Sequence, residues 1–224
     1  MSIKKIVQKF IKNDEVENLP ISEQLEKIGF FSLVDDKEKV KYIKKSIDDH
    51  YKRDRWLDFP NDWYISEVFK LPKYNDGLST SDFRTIGVSP EDLFRGNFES
   101  YIKGVKPMFE KRGLQFDYKD ENMDWKKDSE DKQYIKHTII INNDIYLIYE
   151  GLVIKSGEVL LQYLFSYVNI LNKVLQKQNS KEEFFILTAQ DVYVYCILTD
   201  NKMKEYFEKI VNQTENKIIA IQKY

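Results

Sequence analysis

Asp120, Asn122 and Asp124 stand at alternate positions of an acidic stretch, followed by Asp128 and Asp131. The first three match the leading oxygen positions of an EF-hand-type calcium loop, and the last two fall at its ninth and twelfth places. The pattern has faults. Trp125 occupies the place where such a loop needs glycine for its sharp turn, the last ligand is Asp rather than Glu, and the flanks read as strands. A solvated loop between strands explains the same letters.

The neighbouring residues suit a second chemistry. A metal-dependent hydrolase or nuclease gathers carboxylates, often with a lysine, around a cation that activates water. Asp117 offers an upstream acid, and Glu130 with Lys132 gives an acid-x-Lys pair. Such triplets are common in a chain with 35 Lys and Arg and 37 Asp and Glu, so the pattern has little specificity.

Histidine and cysteine give less. His50, His137 and Cys196 come from distant segments with no ligand spacing between them, which argues against zinc. A Cys196–His137 nucleophile pair has the right groups. Cys196 sits inside "VYVYCILT", however, where a thiol reads as a small buried hydrophobe. No phosphate-binding loop and no serine elbow occur among 8 glycines, and no cofactor is expected.

The last candidate is a surface. The segment "DRWLDFPNDWYISEVF" places Trp56, Asp58, Phe59, Asp62, Trp63 and Tyr64 close together. Trp and Tyr dominate protein interfaces, and Asp beside them complements a basic partner. The simpler alternative is that Trp56, Phe59 and Trp63 pin a long connection onto the core.

These residues must be positioned by elements, and the chain reads as α+β. Residues 1–112 are mostly helical with a long connection at 53–88. Residues 113–224 form a sheet region, packed with the first as one unit. Helical spacing recurs at Ile3–Ile11, at Ile21, Leu25 and Ile28, and at Val40, Ile43, Ile47 and Tyr51. Gly29 suits a helix C-terminus, and Asp35 or Asp36 suits the next start. Pro60, Pro72 and Asp76-Gly77 punctuate the connection, with a short helix expected over 62–69. "SPED" at 89–92 starts a helix, and Pro107 should kink or split the one that follows.

Beyond Gly113 the period changes. "LQFDY" (114–118) alternates as a strand. "IIINNDIYLIY" (139–149) reads as a hairpin turning on Asn142 and Asn143, apolar on both faces and so central in its sheet. A long helix follows from Ser156, carrying Leu160, Leu164, Tyr167, Val168, Leu171, Val174 and Leu175 on one stripe. Two strands, "EFFILTAQ" and "DVYVYCILTD", a helix capped by Asp200, and an edge strand "KIIAIQKY" complete the series. The order is β-ββ-α-ββ-α, with one mostly antiparallel sheet carrying its helices on one face.

Bulk composition narrows the classes. With 42% hydrophobic and 14% aromatic residues, 224 residues can bury a core without metal or disulfide. The formal net charge of -2 lacks the basic surplus of a nucleic-acid binder. One cysteine excludes an internal disulfide and fits a reducing compartment. No apolar run reaches a membrane span, and the first residues lack a signal-peptide core. Richness in Lys, Asn, Ile and Tyr points to a bacterial genome. The expectation is a cytoplasmic, non-enzymatic protein that binds another protein, such as a toxin-neutralising immunity protein, without nucleic-acid or membrane partners. A metal-dependent hydrolase using 117–131 and a self-assembling subunit are the alternatives.

Overall fold

The computed structural model describes residues 19–54, 57, 59, 82–127, 132–153, 156–189, 193–211 and 216–219. The protein is α+β. Helices α1 (Ile21–Lys27) and α2 (Lys37–Asp54) precede strand β1 (Thr85–Gly87) and helices α3 (Pro90–Phe94) and α4 (Phe98–Glu110). Strands β2 (Tyr118–Lys127), β3 (Gln133–Ile141) and β4 (Asp144–Leu152) lead into the long helix α5 (Ser156–Lys177). Strands β5 (Glu183–Ala189) and β6 (Tyr193–Thr199), helix α6 (Asn201–Val211) and strand β7 (Asn216–Ile219) follow.

Local chemistry explains many boundaries. The α1 terminus closes on Gly29 at φ 84°, with Phe30 N–H bonded back to Leu25 C=O at 3.0 Å, the pattern of a left-handed cap. Asp36 takes the N–H groups of Glu38 and Lys39 at the head of α2. Ser89 caps α3 through the N–H of Asp92, with Pro90 in the first turn. Asp200 does the same for α6 through Met203. Pro107 does not split α4, which runs unbroken to Glu110. It sits in the last turn, where few residues remain to be displaced by the hydrogen bond it removes.

The strands form two antiparallel sheets rather than one, ordered β1-β6-β5-β7 and β2-β3-β4. Each side of the β5–β6 pair meets its own core. Phe184, Ile186, Cys196 and Leu198 join α4, α5 and the smaller sheet in the first. Phe185, Leu187, Tyr195 and Ile197 join α1, α2 and α6 in the second. Helices therefore cover both faces of the larger sheet, which explains why its central strands are continuously apolar. The stripe of α5 lies buried between the sheets, with Tyr163, Tyr167, Val168 and Leu171 almost inaccessible.

The region read as a loose connection contributes more than expected. Its end supplies β1, which pairs with β6. Arg84 just before it is 4% exposed and ties the two cores together. Its guanidinium donates to Phe30 C=O at 2.9 Å, Leu198 C=O at 3.2 Å and the Glu182 carboxylate at 2.7 Å. Arg112, at the end of α4, bonds the same carboxylate and also donates to Phe83 and Met108 C=O. Asp82 accepts from the N–H groups of Arg84 and Thr85 and from the Thr85 hydroxyl. Two guanidinium groups and two carboxylates thus neutralise one another where α1, α4, β1 and the larger sheet converge.

The segment 114–118 is not a strand except at Tyr118. Its backbone bonds side chains instead: Gln115 N–H donates to Gln178 Oε1 at 2.8 Å, and Asp117 N–H to Asn142 Oδ1 at 2.8 Å. Asn142 and Asn143, at φ 51° and 67°, form the two-residue turn between β3 and β4. Asn142 also donates to Gln115 C=O at 3.0 Å. Replacing Asn142 with Gly keeps the backbone angle but loses both side-chain bonds. The expected loss is about 1 kcal/mol, read from the urea midpoint. Asn143→Gly, at the partner position, is expected to change the midpoint far less.

Candidate functional site

As far as Lys127, the acidic stretch is an edge strand. Within β2, Asn122 to Lys127 pair in regular register with Thr138 to Gln133 of β3. Asn122 and Asp124 are exposed on one face, and Asp120 is exposed at the preceding irregularity. Asn122 donates to Asp124 at 3.4 Å across one face of a straight paired strand, which lacks the curved backbone that brings five or more oxygens onto one ion in a calcium loop. Asp128 and Asp131 lie outside the described residues. Asp117 is exposed and held in the turn beside Asn142, and His50 contacts Arg53 at the end of α2. Among the described residues, no group of three or more His, Cys, Asp or Glu side chains is placed to hold a metal. Melting the protein with Ca²⁺, Mg²⁺, Mn²⁺ or EDTA is expected to leave the midpoint unchanged. A rise with any one metal would restore the hydrolase alternative.

Cys196 is fully buried on β6, and burial pushes its thiol pKa well up. It is not a nucleophile in this environment. Of the aromatic segment, Leu57 and Phe59 are described, and both are buried. Phe59 packs edge-on against Tyr195 and lies 5.7 Å from Phe30, so it is a core side chain and not part of an exposed patch. Trp56, Asp58, Asp62, Trp63 and Tyr64 lie outside the described residues.

Two arrangements appear that sequence reasoning missed. The first is a buried relay. Between Lys119 and Asn122, β2 places two residues opposite one of β3, and Asp120 takes φ 52°. This bulge re-aims Glu121 inward. One oxygen of its carboxylate lies 2.8 Å from His137 Nε2, and the other accepts the Glu99 N–H at 2.6 Å. Glu121 thereby caps α4, whose own Asn97 provides no side-chain bond. Negative charge at this helix end is also favoured by the dipole. On the other side, His137 Nδ1 lies 3.2 Å from the Tyr163 hydroxyl. When Nε2–H donates to the carboxylate, Nδ1 is left to accept from the tyrosine hydroxyl.

Burial first, then Tyr149 and Glu121, raise the Tyr163 pKa well above its ordinary value, so the phenol keeps its proton. Tyr149 stacks on Tyr163, Phe98 meets the imidazole edge-on, and both His137 and Tyr163 are inaccessible to solvent. The relay links three polar side chains by hydrogen bonds and ties β2, β3, α4 and α5 together. Its imidazole and phenol have no exposed surface at which to meet a substrate. The bulge that creates it has no signature in "KDENMD".

The second arrangement is a surface. The hairpin is central in one strand only, β3, while β4 is an edge strand, and it is not covered on both faces. Ile139, Ile141, Tyr146, Ile148 and Tyr149 enter the first core. Ile145 and Leu147 point the other way, 74% and 52% exposed. Register places Ile145 beside Ile140 and Lys119, and Leu147 beside Thr138 and Asn122. A charged row follows, in which Lys136 and Tyr134 both approach Glu150.

The edges differ in their protection. Edge strands β1 and β7 are short, with three and four residues. Asn172 occupies the Phe184 backbone beyond the reach of β7 by bonding both its N–H and its C=O. The β2 edge carries Lys119, Asp120, Asp124, Lys126 and Lys127. Short strands and edge charges are how proteins block strand addition. By contrast, β4 runs Ile145-Tyr146-Leu147-Ile148-Tyr149 without a charge, and no described strand pairs with its outer edge.

Compared with family models, curated proteins and solved structures, the chain matches none. Among the described residues, no helix is long and apolar enough to cross a membrane. The described residues form an α+β fold with a buried Glu121–His137–Tyr163 relay inside and, outside, an edge strand β4 without charge from Ile145 to Tyr149.

Proposed function

We propose that the chain is a non-enzymatic protein that acts by binding another protein, and that the β4 edge with its adjoining outer face is where the partner sits. The observation that carries this reading is the exposure of Ile145 and Leu147 on one face of an edge strand that carries no charge from Ile145 to Tyr149. Strand addition supplies affinity through main-chain hydrogen bonds and specificity through alternate side chains. Full burial of an Ile or Leu side chain contributes about 1.5–3 kcal/mol, so these two residues have the capacity to anchor a contact. The mechanism is occlusion or scaffolding, and a cytoplasmic toxin-neutralising immunity protein is one form it takes. Trp56, Asp58, Asp62, Trp63 and Tyr64 provide a second contact in this reading.

The test is affinity purification of the tagged chain from its host beside a Leu147→Lys variant and a Trp56→Ala/Trp63→Ala variant. A stoichiometric partner, or a differently tagged copy of the chain, should be retained by the wild type and lost with Leu147→Lys at unchanged melting midpoint. Retention by Leu147→Lys would remove the β4 assignment. Retention by the double tryptophan variant would remove the second contact.

A further inference from the structure

We infer that Tyr163 is a redox-active tyrosine, oxidised by one electron by way of Trp125 and deprotonated by His137. A phenol that loses an electron becomes strongly acidic, so the electron leaves readily only where a base already holds the hydroxyl by a hydrogen bond. His137 is such a base. Its Nδ1 lies 3.2 Å from the Tyr163 hydroxyl, within reach of proton transfer. Its Nε2 lies 2.8 Å from the Glu121 carboxylate, which stabilises the imidazolium that results. Glu121 is the end of this series nearest to water, with its side chain 11% exposed against 0% for His137.

An electron path leads from the same phenol to the same strand. Phe94 meets the Tyr163 ring edge-on at 5.6 Å between centroids, and the Trp125 ring edge-on at 6.0 Å. Trp125 is 48% exposed on β2. Two ring contacts therefore join a buried phenol to an indole in water, and an exposed indole is where a small oxidant arrives first. Tyr149 stacks on Tyr163 at 5.4 Å but has no such outlet for its proton. Its hydroxyl donates to Leu152 C=O at 3.0 Å, and a backbone carbonyl is not a base. The radical therefore settles on Tyr163, whose burial keeps it from coupling with a radical on another molecule.

A small oxygen-derived radical, such as the carbonate radical anion, takes one electron from Trp125 and leaves as carbonate. Trp125 takes one electron from Tyr163. The O–H bond of Tyr163 breaks, and its proton forms the Nδ1–H bond of His137. The products are carbonate, a neutral tyrosyl radical and an imidazolium paired with Glu121. A one-electron reductant of the ascorbate class reverses the step, with the proton returning from Nδ1 to oxygen. No substrate has to reach the phenol, since the electron crosses packed rings and the proton moves within one hydrogen bond. Burial of the relay is thus compatible with this activity.

The experiment is flash photolysis of the full chain carrying a ruthenium polypyridyl photo-oxidant on Lys127→Cys, at the exposed end of β2 beside Trp125. Cys196 is buried, so the label goes to the introduced thiol. After oxidative quenching, an indole radical should form at Trp125 and convert into a tyrosyl radical, read by transient absorption and electron paramagnetic resonance. Trp125→Phe should abolish the tyrosyl signal. Tyr163→Phe should leave the indole radical without conversion. His137→Gln keeps a polar side chain but no base. It should slow conversion by about 100-fold, the lower end of what a positioned base contributes. Circular dichroism checks that each variant is folded.

A tyrosyl signal undiminished in Tyr163→Phe would place the radical elsewhere and overturn the assignment. An indole radical that decays in the wild-type background without a tyrosyl signal would overturn it too. Conversion lost with Tyr163→Phe but unchanged in folded His137→Gln would remove His137 as the proton acceptor, and the assignment would fall with it. If His137→Gln does not fold, the unsubstituted relay equilibrated in heavy water decides instead. An electron coupled to proton transfer moves more slowly there, and an equal rate would overturn the assignment.

Discussion

Glu182→Gln is expected to lower the melting midpoint by roughly 10 °C, the largest effect foreseen for a single conservative change. The substitution keeps size and shape and removes one charge. Glu182 is the shared acceptor of Arg84 and Arg112, whose side chains are 5% and 8% exposed. Without it two guanidinium groups face one another, and among the described residues Asp82 is the carboxylate left to offset them. Breaking a buried ion pair from one side costs about 3–5 kcal/mol, and each kcal/mol moves the midpoint of a chain this size by about 2–4 °C. Thermal denaturation followed by circular dichroism checks the result. A drop of only a degree or two would mean that water screens the cluster.

The same group predicts a pH dependence. Burial opposes the charge on Glu182, but hydrogen bonds and charges from Arg112 and Arg84 outweigh it, leaving its pKa below the ordinary 4.5. A carboxylate depressed in the folded state contributes stability that is fully present above its unfolded value. That contribution is lost as pH falls through the folded value. Wild-type stability should therefore decline below about pH 4.5, and Glu182→Gln should lack that part of the decline. Urea midpoints of the two proteins between pH 7 and pH 3 measure it.

His137→Leu is the second large effect, with an expected loss of about 2–4 kcal/mol. Leucine is apolar and of similar bulk, so the change leaves little cavity. The loss arises instead from two orphaned groups, the Tyr163 hydroxyl and one oxygen of the Glu121 carboxylate. A buried polar group stripped of its partner costs about 1–3 kcal/mol, and more if charged. Combining His137→Leu with Tyr163→Phe removes the orphaned hydroxyl and leaves Glu121 bonded to the Glu99 N–H. The double variant should recover part of the loss, because replacing both sides of a buried interaction is far less costly than removing one. A single variant as stable as wild type would show that His137 does not bridge the two groups.

Much of the fold was legible because it depends on near neighbours. The caps at Gly29, Asp36, Ser89 and Asp200 and the turn at Asn142-Asn143 are decided within a few residues. So are the apolar stripes of α2, α4, α5 and α6, since helical period alone puts Ile43 with Ile47, or Leu164 with Val168 and Leu171. The strand order along the chain follows from the same local period. Errors came where backbone partners lie far away. Leu114 to Asp117 alternate like a strand, yet Gln178 and Asn142 take their hydrogen bonds. The acidic residues that follow look like a loop, yet an edge strand with an outward face tolerates them.

The candidate surfaces divide in the same way. Apolar composition marks both hairpins as strands, but it cannot tell which has two covered faces. That depends on where the helices come to rest. The β5–β6 hairpin lies between two cores, so both its faces are buried. The β3–β4 hairpin has α5 on one face only, and its other face leaves Ile145 and Leu147 in water. The Glu121–His137–Tyr163 relay is likewise a product of tertiary structure. Its members come from two strands and a helix, and a bulge with no local signature turns the carboxylate inward. Helical stripes, caps and the β3–β4 turn could be read from the sequence, because period and chemistry between close neighbours set them. Strands β1 and β2, the apolar residues left exposed and the polar residues that meet could not, because they depend on contacts between segments far apart in the chain.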